Sequence, residues 1–95
     1  MIRQPAVAGR FYPGDPEELA RTVQALLPKG AEPPKKALGI VSPHAGYVYS
    51  GAMAGRTIGA VAIPKTVIIL GPNHHGRGAK AAVSTAHGHR PGGTV

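Results

Sequence analysis

The sequence predicts an α/β fold with a partial parallel or mixed sheet that contains a βαβ unit. Two short apolar runs, residues 37–41 and 66–70, have the length and composition of fully buried strands. A segment rich in small residues lies between them and predicts a helix. Strand, helix and strand joined by short loops form a parallel crossover that is almost always right-handed. Sheets of this kind bind ligands at the carboxyl ends of their strands.

The composition indicates one small domain with a thin core. The chain has 95 residues, of which 14 are Gly and 10 are Pro, against a single Phe and no Trp. A core built from such residues must be mainly aliphatic. Because the sequence contains no Cys, neither a disulfide nor a thiolate metal site can form within it. Any metal would need His, Asp or Glu as ligands.

Charge and hydropathy exclude several classes of partner. The net charge is +7, but the 11 Lys and Arg residues are scattered, and only Lys35 and Lys36 are adjacent. No basic stretch is interleaved with aromatic residues, so we expect no specific nucleic-acid binding. No apolar stretch is long enough to span a bilayer or to form a signal core, so we expect a cytoplasmic protein without a membrane partner. The sequence does not predict an oligomeric state.

The first part of the chain predicts an extended segment followed by a helix. Residues 3–13 have Pro near both ends, which favours an edge strand or a surface strap. Asp15 can cap the next helix, Pro16 fits its first position, and Glu18 completes a capping-box spacing. Pro28 and Gly30 are expected to end it. Its apolar stripe consists of Leu19, Val23, Leu26 and Leu27.

The second helix is predicted over residues 51–61, with Ser50 as its cap. Gly51, Gly55 and Gly59 weaken its propensity but permit close approach of another helix, so packing must stabilise it. Residues 81–84 predict a third short strand, and the Gly-rich tail that contains His87 and His89 is expected to be irregular.

Two histidine turns follow the two apolar runs. His44 lies on the turn after residues 37–41, and His74 and His75 lie on the turn after residues 66–70. Neighbouring parallel strands would bring these imidazoles within reach of one ion, and imidazole suits Zn, Cu, Fe or Ni. Adjacent histidines point in different directions, so one of His74 and His75 could bind metal while the other acts as a general base or as a hydrogen-bond donor to a substrate. The pattern alone does not rank them. Tyr47 is a candidate proton donor.

Each of these residues also has a structural explanation. A histidine after a turn commonly satisfies local backbone groups, and a tyrosine beside glycine commonly packs at a turn. Ser50 lacks the glycine-flanked elbow of a nucleophilic serine and is expected only to cap the helix.

Three motifs in order resemble the Memo family, also called AmmeMemoRadiSam system protein B. They are residues 3–13, the stretch Pro-His-Ala-Gly-Tyr-Val-Tyr-Ser-Gly at 43–51, and the stretch Ile-Leu-Gly-Pro-Asn-His-His-Gly at 69–76. The resemblance covers nearly the whole chain but only about the first third of a typical member. The family is similar in fold to the class III extradiol ring-cleaving dioxygenases, whose α/β scaffold carries a metal at its strand ends. The resemblance implies metal-ligand roles for His44 and His74, with His75 as a neighbour in the site.

The resemblance also sets what this chain is expected to do. The family completes its site with a later histidine and a cysteine, so residues 1–95 are expected to be the amino-terminal part of a single Memo-like domain, a fragment inactive by itself. The complete protein is expected to use a divalent metal of the iron or copper type for redox or dioxygenase-like chemistry. The alternative is a non-catalytic binding module that holds an anionic peptide or small molecule in the same cleft. A broken reading frame is a third explanation of the length.

Overall fold

Two helices and a small three-stranded sheet form the regular structure. The computed structural model describes residues 2–30, 32–84, 87–90 and 93–94, with only the backbone described in the last two ranges. The elements are β1 (Ile2–Arg3), α1 (Pro16–Leu26), α2 (Tyr47–Gly59), β2 (His87–Arg90) and β3 (Gly93–Thr94). The sheet order is β1-β2-β3, with β1 parallel to β2 and β2 antiparallel to β3. Among the described residues, neither helix has the length and apolar character that crossing a membrane requires.

Helix α1 forms as its local sequence predicts. Asp15 is the N-cap, and its Oδ2 accepts a hydrogen bond of 2.9 Å from the backbone N–H of Glu18. Pro16 occupies the first turn, where its missing N–H costs no hydrogen bond. The backbone becomes extended at Leu27, just before Pro28. Leu19, at 8% exposure, is the one buried large apolar side chain among the described residues.

Helix α2 begins about one turn earlier than predicted, and Ser50 is not its cap. The N-cap is Gly46, which makes no side-chain capping bond. The N-terminal segment caps the helix instead, since the N–H of Tyr47 donates to the carbonyl of Phe11 at 2.7 Å. Ser50 lies in the first turn, where its hydroxyl donates to the carbonyl of Ala45 at 3.2 Å. A tertiary contact therefore sets this boundary.

The glycines of α2 pack against the end of α1. A Cβ added at Gly51 would lie 2.8 Å from Cδ1 of Leu26, and one added at Gly55 would collide with the Leu26 carbonyl. A Cβ at Gly59 would collide with the Pro28 ring. The overlap at Gly55 is with backbone and cannot relax without moving it, so the predicted close approach of this glycine face is confirmed.

The prediction of two buried strands at 37–41 and 66–70 is wrong in this structure. Both runs are irregular and exposed, and Ile69 and Leu70 are 88% and 91% accessible. A buried parallel strand needs partners on its edges and cover on both faces, and the described residues supply neither. The predicted βαβ unit is reduced to one parallel bridge between Lys35 and Val61. Residues 81–84 also form no strand.

The two ends of the chain pair with each other. Ile2 and Arg3 align with His87 and Gly88, so the predicted edge strand is confirmed only over these first residues. Residues 7–12 fold into a turn instead, with the N–H of Gly9 donating to the carbonyl of Tyr12 at 2.7 Å. The prediction of an irregular tail is wrong over His87–Arg90, because this segment forms β2.

Candidate metal-binding site

The first histidine turn is held by the start of α2. His44 lies two residues before the N-cap Gly46, which is buried against the N-terminal segment. A Cβ at Gly46 would lie 3.4 Å from the carbonyl oxygen of Phe11, closer than most side chains tolerate. The same carbonyl accepts the hydrogen bond from Tyr47. These contacts fix the backbone that carries His44.

The second histidine turn is held by Asn73. Its Oδ1 accepts a hydrogen bond of 2.9 Å from the N–H of Gly76, and its Nδ2 donates to the carbonyl of Arg77 at 2.8 Å. Gly76 and Gly78 have φ values of +64° and +75°, which side-chain-bearing residues seldom adopt. His74 and His75 lie inside the loop closed by Asn73, so this side chain sets the path of the backbone that carries them.

The two turns meet at His44 and His74. Their ring centroids are 5.1 Å apart, and the ring planes are tilted by 42°. Both side chains are exposed to solvent. The structure thus brings together the two residues for which the family resemblance implies metal-ligand roles.

The two apolar runs line one groove although the predicted strands are absent. Residues 37–40, 66–68 and 70 contribute to this groove, which has a volume of about 600 Å³. The N–H of Lys35 donates to the carbonyl of Ala60 at 3.0 Å, and the carbonyl of Lys35 accepts from the N–H of Ala62 at 2.9 Å. This bridge aligns the starts of the two segments in parallel, and both segments then lead to a histidine turn.

The distance between the imidazoles fits a shared ion. A metal held tetrahedrally by two imidazoles, with bonds of about 2.1 Å, places the ring centroids about 5 Å apart. Imidazole nitrogen is also a good donor for iron and copper. The observed 5.1 Å equally fits an ordinary tilted ring pair. The geometry therefore permits a metal site without requiring one. Within the described residues, no group of three or more His, Cys, Asp or Glu side chains is placed to hold an ion.

Tyr47 and His75 have different positions relative to this pair. Tyr47 is half-buried, its ring lies 5.7 Å from that of Tyr12, and it lines the same apolar cavity as His44. His75 is exposed on the turn next to His74 and does not line that cavity. Tyr47 therefore shares a cavity with His44, whereas His75 lies on the second histidine turn beside His74. His87 and His89 lie in β2, and their side chains are outside the described part of the chain.

Sequence reasoning missed two groups that position the site. The carbonyl of Phe11 could not be identified, because its partner Tyr47 is distant in sequence. Asn73 carries a local signal, since an Asn followed three residues later by a Gly is typical of a turn closed by the Asn side chain.

Known proteins place the chain in a family. The family model for Memo, described as Memo-like protein, matches residues 3–95. A MEMO1 family protein of Methanopyrus kandleri is 44% identical over 97 residues, which cover 90% of this chain and 34% of the relative. MEMO1 family proteins of Pyrobaculum arsenaticum and Aquifex aeolicus are 47% and 46% identical, over 86% of this chain in each case.

These relatives are longer than the present sequence. The chain spans about a third of the length of the curated relatives it matches, with 33% and 31% of the second and third relatives covered. No solved structure matches the chain. The family match extends over nearly every residue and includes both histidine turns. The chain therefore belongs to the Memo-like protein family.

Proposed function

We propose that His44 and His74 supply two ligands to a single divalent metal of the iron or copper type. Residues 1–95 would be the amino-terminal part of one Memo-like domain, and the complete protein would carry out redox or dioxygenase-like chemistry. The observation that supports this proposal is the 5.1 Å separation of the two imidazoles, which lie on different turns of the chain.

The chain's own side chains have separate roles in this proposal. An iron or copper ion, when bound, supplies one-electron chemistry that no amino-acid side chain here provides. His44 and His74 would hold the ion through their ring nitrogens. Tyr47, steadied by its contact with Tyr12, donates a proton from its Oη to a ligand in the adjoining cavity. His75 accepts a proton at a ring nitrogen from a ligand at the second histidine turn.

The test measures metal affinity in a background without other histidine donors. The chain contains 5 His, so replacing His87 and His89 by Ala leaves only the three candidates. Cu²⁺ is titrated into this purified chain and followed by visible absorption. We expect His44→Ala and His74→Ala each to lower the affinity by about tenfold or more, because each removes a direct ligand.

His75→Ala is the matched control, since it changes the adjacent residue on the same turn. We expect it to lower the affinity by less than about threefold. An equal loss in all three variants would point to diffuse binding and would overturn the assignment. The redox part is tested on the complete protein, whose metal-dependent oxygen consumption should fall in His44→Ala and His74→Ala.

A second candidate function is non-catalytic binding of an anionic peptide or small molecule in the same cleft. The apolar cavity beside His44 favours it, because a cavity can bind a ligand without any metal. Unchanged metal affinity in His44→Ala and His74→Ala, together with ligand binding by the metal-free chain, would support this candidate over the redox function.

A further inference from the structure

An apolar cavity of about 420 Å³ lies next to His44. The N-terminal segment, α1, α2 and the first histidine turn each contribute to its wall. Phe11, Leu27 and Ile58 line it, and they remain 43%, 37% and 42% exposed. Three large apolar side chains from three parts of the chain thus face unfilled space.

The size and lining of the cavity match those of small-molecule sites. Such sites are commonly about 300–1,000 Å³ in volume, mainly apolar, and carry a few polar groups that orient the ligand. Here the polar side chains include Ser42, His44 and Tyr47. The hydroxyl of Ser42 donates to the carbonyl of Pro43 at 3.3 Å. The imidazole of His44 lines the cavity and is exposed to solvent, so it can meet a polar group of a bound ligand.

The net charge of the chain favours an anionic ligand over a cationic one. Among the described residues, no Asp, Glu, Lys or Arg lines the cavity, so this preference comes from the chain as a whole. The whole chain has only 4 Asp and Glu residues against 11 Lys and Arg. The positive potential of such a chain attracts anions and disfavours cations.

We propose that this cavity binds a small apolar monocarboxylate. Its apolar body packs against Phe11, Leu27 and Ile58, and its carboxylate lies at His44. What happens to the bound ligand beside the metal rests on the proposed function. Binding of the ligand itself needs no metal. The helix face around Ala54 then determines which ligands of this class fit the cavity.

The test uses 2-naphthoate as the probe, with the metal-free chain in the presence of EDTA. Binding is followed by amide chemical shifts in the wild-type chain. We expect the largest shifts at Ala54, Gly55 and Ile58, which belong to the cavity wall. Shifts confined to residues 62–80, or none at a millimolar probe concentration, would overturn the proposal.

Ala54→Phe fills the cavity from α2, whereas Met53→Phe adds the same ring at the neighbouring exposed position outside the cavity lining. We expect Ala54→Phe to weaken 2-naphthoate binding by about tenfold and Met53→Phe by less than about twofold. Circular dichroism checks folding, and Ala54→Val provides a milder variant with the same expected direction. Equal affinities in Ala54→Val, Met53→Phe and the wild type would contradict the proposal.

Two further comparisons test the head group and separate this proposal from the metal site. We expect 2-naphthylmethylamine to bind about tenfold more weakly than 2-naphthoate, and equal binding would rule out a carboxylate preference. His74 does not line the cavity, so His74→Ala should lose metal affinity while it keeps 2-naphthoate affinity. Loss of both metal affinity and 2-naphthoate affinity in His74→Ala would contradict a cavity that is independent of the metal site. If 2-naphthoate does not bind but His74→Ala still lowers metal affinity, the cavity proposal is wrong and the metal-site proposal is retained.

Discussion

The helical region and the two apolar runs have opposite structural outcomes, although the runs are the more apolar. In the helical region, α2 contacts Leu26 of α1 through its glycine positions, and α1 carries the buried Leu19. In the runs at 37–41 and 66–70, nearly every aliphatic side chain is exposed. A helix satisfies its own backbone, whereas a buried strand depends on partners that lie elsewhere in sequence. The stability of the described chain is therefore expected to lie in its helices, and its proposed chemistry at the ends of the exposed runs.

The largest effect that tests this contrast is expected at Leu19. Leu19→Ala removes a side chain that is 8% exposed and should lower the free energy of unfolding by about 2–4 kcal/mol. Ile69→Ala is the matched control, since Ile69 is 88% exposed, and it should change the free energy by less than about 0.5 kcal/mol. Urea unfolding followed by circular dichroism measures both. A larger loss at Ile69 than at Leu19 would mean that the runs contribute to the core.

An intermediate effect is expected at the helix contact. Gly55→Ala places a Cβ against the Leu26 carbonyl, and the resulting overpacking should cost about 1–3 kcal/mol despite the better helix propensity of Ala. Gly39→Ala serves as the comparison in the first run, because no atom lies within 4 Å of the added Cβ. The same unfolding experiment should find this variant close to the wild type. Stabilisation by Gly55→Ala would contradict the close packing of α2 on α1.

The smallest effect on stability is expected at Asn73, which acts on the second histidine turn. Asn73→Ala removes two exposed hydrogen bonds, so the free energy of unfolding should fall by less than about 1 kcal/mol. Because the turn positions His74, Cu²⁺ affinity should nevertheless fall by about threefold to tenfold. Asn73→Asp keeps the acceptor for Gly76 but loses the donor to Arg77, so its loss of unfolding free energy should be intermediate. Wild-type metal affinity in Asn73→Ala would show that the turn does not position the ligand.

Local signals in the sequence were sufficient where one element determines its own boundary. Asp15 and Pro16 predicted the start of α1, because capping involves residues only a few positions apart. The start of α2 was misplaced, because it depends on a hydrogen bond from Tyr47 to the distant carbonyl of Phe11. The segment His87–Arg90 was expected to be irregular, because its strand depends on pairing with β1 and β3 and not on a local signal.

The histidine pair was predicted on reasoning that held only in part. Parallel strands were expected to carry His44 and His74 to one edge of a sheet, and these strands are absent. The parallel direction survives in the Lys35–Val61 bridge, and the two runs line one groove. The meeting of the two turns was therefore expected from strand pairing that does not form in this structure. The choice of His74 over His75 came from the family resemblance and stays a prediction.

The most direct test of the shared site is electron paramagnetic resonance of the chain loaded with one equivalent of Cu²⁺. The protein for this measurement carries His75→Ala, His87→Ala and His89→Ala, so that only His44 and His74 can supply imidazole nitrogen. If the two rings, 5.1 Å apart, share the ion, pulsed spectra should show coupling to two equivalent imidazoles, reduced to one when His74 is also replaced by Ala. Coupling to a single imidazole before that replacement would contradict the shared site.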